Sequence, residues 1–435
     1  MRCVHAEEGE TMPTSRAGAA RAWVSSIALL AAIAALVAGC ATTSGGTSGA
    51  TSGAATGTST ASGPTATATS SAPAPTATPR PAPPHAFAWY HYDSHQAPQI
   101  WASVNGASPH QVTHIAPPPT DGCDNEIAWS PPVYSPDLKH IVAAMGGFNC
   151  GDGGLTGQAS VISASTGAVT NVPGSYLSVP LETRAEGWLD NSTIWFISAG
   201  SVYTYHLGDA SASALPGISH ASDAAVRGSI LFWDEQTASS SQWTYTLHRY
   251  DLGVHSALAG TISLGAWAVC QCSPGNITTP GWDASPNGAH VAYQVITPSS
   301  SSQTGIGGSK VYYANADGSG ATQIAKYMVT KNMVDMQISP DGQWVAFTGA
   351  LPSPATLTAS VSSPGGAGDS TFHGYSPDTF NYPVWKWDST QFWAAKTEAG
   401  AGSPSTSTAL YNFHRGGSSS VGVSGGYNPW YTIGG

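Results

Sequence analysis

Residues 338–348 read Ile338-Ser339-Pro340-Asp341-Gly342-Gln343-Trp344-Val345-Ala346-Phe347-Thr348. The first half predicts a tight turn, because proline fixes φ, aspartate can bond its own downstream backbone, and glycine tolerates positive φ. The Val-Ala-Phe run that follows is apolar and favours a strand. The stretch therefore predicts the end of one strand, a turn, and the start of the next strand.

The same unit recurs along the chain. Two copies are close, Ser285-Pro286-Asn287-Gly288 before Val291-Ala292-Tyr293 and Ser135-Pro136-Asp137 before Ile141-Val142-Ala143. Looser copies precede Ile194, Ile230 and Phe392. A unit of short strands and turn residues that returns roughly every 35 to 60 residues is typical of a β-propeller.

The blade number follows from counting the second strand of each expected blade. These strands are expected to open at Phe87, Ile141, Ile194, Ile230, Val291, Val345 and Phe392. We therefore predict an all-β head, residues 86–435, folded as a β-propeller of seven four-stranded blades, with six or eight as alternatives.

Two parts of the chain carry a family resemblance. Ser339-Pro340-Asp341-Gly342 before an aliphatic-Ala-aromatic strand, together with a Tyr-x-Asn-Ala-Asp-Gly-Ser-Gly run at 313–320, resembles the TolB-like, WD-repeat-related propeller family. The resemblance is good over about Ile277 to Ile324 and Val334 to Val361. It implies a scaffold of six to eight blades and no catalytic residues.

The C-terminal residues are expected to close the propeller. Residues 426–433 resemble the inner strand of the preceding blade, residues 381–387, while the first blade starts at Phe87 without an inner strand of its own. Pairing of the last strand with the first blade would leave no open sheet edge.

Composition excludes one class of partner. Only 9% of the 435 residues are charged and the formal net charge is −11, with no cluster of Lys and Arg. Such a chain is unsuited to phosphate backbones, so we expect no nucleic-acid partner. The sequence predicts no cofactor and no catalytic residue.

The N-terminal residues indicate export. An apolar run from Trp23 to Ala38 follows Arg16 and Arg21 and ends in Val-Ala-Gly-Cys at Cys40. This pattern is typical of a secretory signal, residues 1–39, and its end resembles the bacterial lipobox. We expect lipidation of Cys40 and anchoring in the cell membrane, facing outside the cytoplasm; the alternative is an uncleaved anchor. Residues 1–11 lack signal character, so Met12 is a candidate start.

Residues 40–85 are predicted to form a tether. The segment is rich in Thr, Ser, Gly, Ala and Pro and has no large apolar residue to bury. Such a composition behaves as an extended, disordered spacer.

Four cysteines remain in the head, and an even number in an exported protein favours disulfides. Cys123 and Cys150 fall in two loops expected on the same propeller face, so we pair them. Cys270 and Cys272 would then close on each other, with a metal or redox pair as the alternative.

Four acidic residues gather near the first cysteine pair: Asp121, Asp124, Glu126 and Asp152. Oxygen ligands of this kind can bind Ca²⁺, but their spacing matches no dedicated loop. We therefore interpret them as solvated loop residues and predict no metal site.

Together these features favour a membrane-tethered, non-catalytic scaffold that binds a protein, peptide or glycan on the face with its longer loops. The alternatives are an extracytoplasmic propeller enzyme of glycosidase or lyase type and a structural envelope protein. Two carboxylates facing each other in the centre would favour an enzyme, whereas an aromatic, weakly polar mouth would favour binding.

Overall fold

The computed structural model describes the following residues, all within the unit Arg80–Gly435: 81–93, 97–116, 126–128, 130–149, 154–177, 184–239, 241–268, 280–298, 306–324, 336–350, 357–362, 370–373, 379–398, 407–414, 417–424 and 427–433. Their regular structure consists of β-strands, and no helix capable of spanning a membrane is found among them.

The N-terminal half of the described chain forms three antiparallel sheets. The first contains β1 (His85–Tyr92), β2 (Pro98–Val104) and β3 (His110–Gln111). The second contains β4 (Glu126–Ala128), β5 (Val133–Tyr134), β6 (His140–Asn149), β7 (Gly154–Ser163) and β8 (Val169–Leu177). The third contains β9 (Glu186–Trp188), β10 (Thr193–Ser198), β11 (Ser201–His206) and β12 (Ser213–Ala214).

The middle of the chain forms two strand meanders within one nine-stranded sheet. The fourth meander contains β13 (Ala221–Arg227), β14 (Ile230–Ala238), β15 (Gln242–Asp251) and β16 (Ser256–Ala257). After β17 (Ile262–Ala268), the fifth contains β18 (Trp282–Ala284), β19 (His290–Pro298), β20 (Ile306–Asn315) and β21 (Thr322–Gln323).

The C-terminal part adds two four-stranded sheets and a last strand. The sixth meander contains β22 (Met336–Ile338), β23 (Val345–Ala350), β24 (Leu357–Ser362) and β25 (Ser370–His373). The seventh contains β26 (Thr379–Trp385), β27 (Gln391–Glu398), β28 (Ser407–His414) and β29 (Gly417–Ser424). The last strand, β30 (Tyr427–Ile433), pairs antiparallel with β1, from His85 opposite Ile433 to Tyr90 opposite Tyr427.

The hydrophobic core is divided into layers between successive meanders. One layer contains residues of the first and second meanders, such as Tyr90 and Ile141, and the next joins the second and third through Val142 and Phe196. Three further layers join the third to the fourth, the fourth to the fifth, and the fifth to the sixth. Successive antiparallel meanders packed face to face are typical of a β-propeller. The expected β-propeller architecture is therefore confirmed.

The predicted strands agree with the observed ones. The seven strands expected to open at the residues named above are β1, β6, β10, β14, β19, β23 and β27, and each begins within two residues of the expected position. Large aromatic residues fill the layers between meanders, since Trp195, Trp233 and Trp282 are buried there.

The predicted turns share one hydrogen-bond pattern. In each, the serine hydroxyl donates to the side chain two residues later, over 2.8 Å from Ser135 to Asp137, 2.7 Å from Ser285 to Asn287 and 2.5 Å from Ser339 to Asp341. The same hydroxyl accepts an N–H from the start of the next strand. These bonds fix the turn locally, with Pro136, Pro286 and Pro340 at its second position.

The fourth position of this turn has positive φ in the copies before β6, β19, β23 and β27. Gly288 and Gly342 both have φ of 69°, and Leu138 and Ser389 occupy the same position at 59° and 56°. Glycine is suited to this conformation because it has no Cβ. Two non-glycine residues adopt it nonetheless.

One strand was not predicted. β17 pairs antiparallel with β15 and, through Gly265 opposite Ile296, parallel with β19, so it joins the fourth and fifth meanders. Gly265 has φ of 88°, and a Cβ there would lie 2.0 Å from the carbonyl oxygen of Ile296. Only glycine allows this approach of two backbones.

Candidate functional site

A pocket of about 180 Å³ lies where the innermost strands of the second, third and fourth meanders meet. The second meander contributes residues in and around β5, the third contributes β9 and Trp195, and the fourth contributes the end of β13. Its walls therefore come from residues about 90 positions apart in sequence, Pro136 and Arg227 among them.

The walls of the pocket are mostly apolar and aromatic. Tyr134 and Trp195 are buried, whereas Trp188 is partly exposed. Trp188 is held in place because its Nε1–H donates to the carbonyl oxygen of Val133, over 2.9 Å, in the neighbouring meander. At Gly187 a Cβ would lie 2.7 Å from the indole nitrogen of Trp195, so glycine lets that ring pack against the strand.

Arg184 enters the pocket from the segment before β9 and forms a fork with Asp223 of β13. Its Nη2 lies 2.7 Å from Asp223 Oδ2, and its Nε and backbone N–H both donate to Asp223 Oδ1. Its Cζ also lies 4.0 Å from the centroid of the Trp282 ring. Bidentate geometry of this kind gives strong, specific pairing.

Asp283 of β18 extends the network across further meanders. Its Oδ1 accepts from Arg184 Nη1 over 3.2 Å and from Arg227 Nη2 over 2.7 Å. Its Oδ2 accepts the backbone N–H of Ile338 over 2.9 Å. One carboxylate thus connects segments of the third, fourth, fifth and sixth meanders.

The positive charges of Arg184 and Arg227 are balanced by neighbouring aspartates. Burial acts to lower the pKa of Arg184, but Asp223, Asp283 and Asp234 together raise it above its usual value, so the guanidinium stays charged. Arg184 and Arg227 each face an aspartate at salt-bridge distance. The network therefore brings no excess positive charge to the pocket.

Glu186 is the remaining acidic residue of the pocket. Its side chain is 3% exposed, and the Ser130 hydroxyl donates to its Oε1. Burial raises the pKa of Glu186 to about 8, although the hydrogen bond from Ser130 acts in the opposite direction. At neutral pH this residue is mostly an uncharged acid, because an isolated charge in a low-dielectric site is costly.

A second buried acid lies behind the pocket. Asp234 of β14 accepts hydrogen bonds from the Ser222 hydroxyl and the Asp223 backbone N–H, both over 2.7 Å. Burial, followed by the negative charge of Asp223, raises the pKa of Asp234 to about 7.

The structure describes only some of the site residues that were predicted from the sequence. Of the turn residues, Pro136 lines the pocket and the others do not. Cys40, Cys123, Cys150, Cys270 and Cys272 lie outside the described residues, as do Asp121, Asp124 and Asp152, and only the backbone of Glu126 is described. Lipidation, both disulfides and the acidic loop therefore stay predictions. No group of three potential metal ligands occurs in the part of the chain that the structure describes.

Sequence reasoning missed the residues of the pocket. Arg184 and Asp283 are 99 positions apart, so no local motif joins them. A signal was present, however, since Glu186 and Asp283 are charged residues inside short strands that precede predicted turns, in a chain with only 9% charged residues. A charge on an innermost strand has to be paired or neutralised.

The comparisons with known proteins find similar solved structures and no similar sequence. No family model matches the sequence, and no curated protein is significantly similar to it. TolB from Acinetobacter baumannii is similar in structure with a TM-score of 0.43 and 10% identity, over 80% of this chain and 66% of that one. The chain thus spans just under two thirds of that protein.

Two further solved structures are similar to a comparable degree. Oligogalacturonate lyase from Vibrio parahaemolyticus has a TM-score of 0.44 and 11% identity, over 77% of this chain and 84% of that one. The β-propeller domain of the Trilobed protease from Pyrococcus furiosus has a TM-score of 0.44 and 10% identity, over 68% and 83%. These similarities carry no argument about function, and the fold assignment depends on the strand pairing described above.

Proposed function

We propose that the protein is a membrane-tethered, extracytoplasmic scaffold that binds its ligand in the pocket between β5, β9 and β13. The observation that carries this proposal is that the partly exposed Trp188 lines one pocket together with the paired Arg184 and Arg227 and the buried Glu186. Pockets with apolar walls and a few fixed polar groups are typical ligand sites. The longer loops named in the sequence-based hypothesis lie largely outside the described residues.

The pocket favours binding over glycoside hydrolysis. A pair of carboxylates working on a sugar bond has to be free to act as acid and base or nucleophile. Asp223 and Asp283 are instead held by arginines, and Glu186 is the one acidic residue lining the pocket among those that the structure describes. Aromatic pocket walls with balanced charges are suited to ligand binding.

The test uses a matched pair of tryptophans. Trp188 and Trp385 each donate Nε1–H over 2.9 Å to a carbonyl oxygen of the preceding meander, but only Trp188 lines the pocket. Immobilised full-length protein is exposed to solubilised cell-envelope material, and bound protein, peptide and glycan are measured. We expect Trp188→Ala to lose a ligand that Trp385→Ala and Trp188→Phe retain. If no bound component depends on Trp188, the proposal is wrong.

We further propose that the seven meanders form seven blades closed into a ring. The pairing of β30 with β1 supports this, because it supplies the first meander with a fourth strand. Trp385 of the seventh meander bonds to Gln337 of the sixth, and β26 and β27 lie close to β30, which supports continuous packing around the ring.

The proposed tether rests on the sequence of residues 1–85. Replacement of Cys40 by alanine should remove the site of lipidation and move the protein from the membrane fraction to the soluble fraction, measured by fractionation and immunoblotting. Cys3→Ala is the control and should leave the distribution unchanged. Membrane association that persists in Cys40→Ala would contradict lipid anchoring.

A further inference from the structure

We propose that the pocket binds one uncharged sugar ring of a glycan, which specifies the ligand of the proposed function and rests on it. The first argument is size. An enclosed volume of about 150 Å³ accommodates a six-membered ring such as benzene. The pocket, at about 180 Å³, is suited to one pyranose ring and too small for two.

The second argument is charge. Arg184 and Arg227 are compensated by Asp223 and Asp283, and the further acids Glu186 and Asp234 lie near them. An anionic ligand would find no free positive charge in the pocket, because both guanidinium groups are already paired with carboxylates. A cationic ligand would be repelled by the guanidinium groups, which cover the carboxylates. An uncharged ligand avoids both costs.

The third argument is the supply of hydrogen-bond donors. A guanidinium carries five N–H groups. Four of those on Arg184 have acceptors, which are Asp223, Asp283 and the carbonyl oxygen of Trp282. Three of those on Arg227 have acceptors. One N–H on Arg184 and two on Arg227 therefore have no acceptor among the described residues.

These donors select an oxygen-rich occupant. Both side chains line the pocket and are partly exposed, 16% for Arg184 and 20% for Arg227, so water satisfies the free N–H groups until a ligand displaces it. A ligand that covers donors without accepting from them loses affinity. A sugar ring carries an oxygen on almost every carbon, whereas one peptide side chain offers one or two.

The fourth argument is the aromatic wall. The C–H groups of a pyranose form an apolar face, and contact with the partly exposed ring of Trp188 would remove that face from water. The pocket thus combines an aromatic surface for one side of a sugar with N–H donors for its hydroxyl and ring oxygens.

The experiment applies purified full-length protein to an array that displays neutral glycans, acidic glycans and uncharged peptides side by side. Bound neutral glycans are then titrated by calorimetry. We expect binding to neutral glycans, weakened at least tenfold in Trp188→Ala, restored to within threefold in Trp188→Phe, and unchanged in Trp385→Ala.

The outcomes separate this inference from the proposed function. Binding that depends on Trp188 but is restricted to peptides or acidic glycans would overturn the sugar assignment and leave the pocket as a ligand site. Absence of any binding to neutral glycans overturns the sugar assignment as well. Loss of binding in both tryptophan-to-alanine variants would point to unfolding, and Trp188→Phe then decides, since failure of this folded variant to bind neutral glycans contradicts the proposal.

Discussion

Asp283 connects segments of four meanders. It accepts hydrogen bonds from Arg184, Arg227 and the backbone of Ile338, and it is 1% exposed. A buried ion pair contributes little compared with apolar packing, but the removal of one partner leaves an uncompensated charge. Loss of the Asp283 carboxylate is therefore expected to destabilise the folded protein strongly.

Replacement of Asp283 by asparagine should lower the free energy of unfolding by about 3 to 5 kcal/mol, because a buried counter-charge shared by Arg184 and Arg227 is lost. Lys139→Ala is the control, since Lys139 is 75% exposed and pairs with Asp137 at the surface. An exposed pair contributes about 1 kcal/mol or less. Urea unfolding measures both values, and similar losses in the two variants would contradict the network.

Glu186 should make stability depend on pH. Its pKa of about 8 in the folded protein lies above the usual value of 4.5, so the folded state holds a proton that the unfolded chain has released between those values. The bound proton therefore adds to the free energy of unfolding. This contribution is complete below about pH 4.5 and is lost as pH rises through about 8, with a slope of up to about 1.4 kcal/mol per pH unit.

Glutamine has nearly the same shape as glutamate but does not ionise, so Glu186→Gln removes the titration of this side chain. Between pH 5 and 8.5 the free energy of unfolding should fall less steeply in Glu186→Gln than in the natural protein. Asp234→Asn should remove a second part of the slope, because the pKa of Asp234 is raised to about 7. An unchanged slope in Glu186→Gln would show that Glu186 is ionised in the folded protein at neutral pH.

The residues that sequence predicted well are those whose partners are local. Ser285 bonds to Asn287 and His290, two and five positions away, so the turn can be read from a short stretch. Arg184 bonds to Asp223 and Asp283, 39 and 99 positions away. Those partners are brought together only by the stacking of meanders, which a single sequence does not display.

At the scale of elements, the turn between the first two strands of a meander is the repeated unit of the fold. Its hydroxyl bridge and its position of positive φ recur in the second, fifth and sixth meanders. The glycines at Gly288 and Gly342 have the same φ but different surroundings. A Cβ at Gly288 would lie 2.9 Å from the carbonyl oxygen of Arg227, and a Cβ at Gly342 would have no neighbour within 4 Å among the described residues.

This difference gives a matched pair of variants. Gly342→Ala should lower the free energy of unfolding by about 1 to 2 kcal/mol, the usual penalty for a side chain in the left-handed conformation. Gly288→Ala carries the same penalty and must also move the backbone of Arg227, so it should lose more. Thermal unfolding compares the two, and equal losses would mean that the meanders do not pack this closely at the turn.

β17 shows where element prediction from sequence ends. Strand signals and turn residues located the second strand of every meander, because apolar strands after turns are local patterns. The pairing of β17 with both β15 and β19 depends on the close approach of Gly265 to Ile296. That approach is a tertiary contact, and the sequence marks it only with one glycine.

At the scale of the whole molecule, the account depends on meanders stacked in chain order. Five core layers each join one meander to the next, from the first to the sixth. The pocket exists because the innermost strands of three successive meanders converge. Pairing of β30 with β1 brings the two ends of the head together and holds the first meander in place.

Hydrogen–deuterium exchange resolved to single amides, in the full chain and in a chain that ends at residue 425, tests this arrangement most directly. In the full chain, the amides of residues 85–92 that face β30 should be protected together with those of residues 427–433. In the shortened chain, β1 becomes an edge strand, and those amides should exchange rapidly. Equal exchange rates for residues 85–92 in the two chains would contradict the pairing and the closed propeller proposed from it.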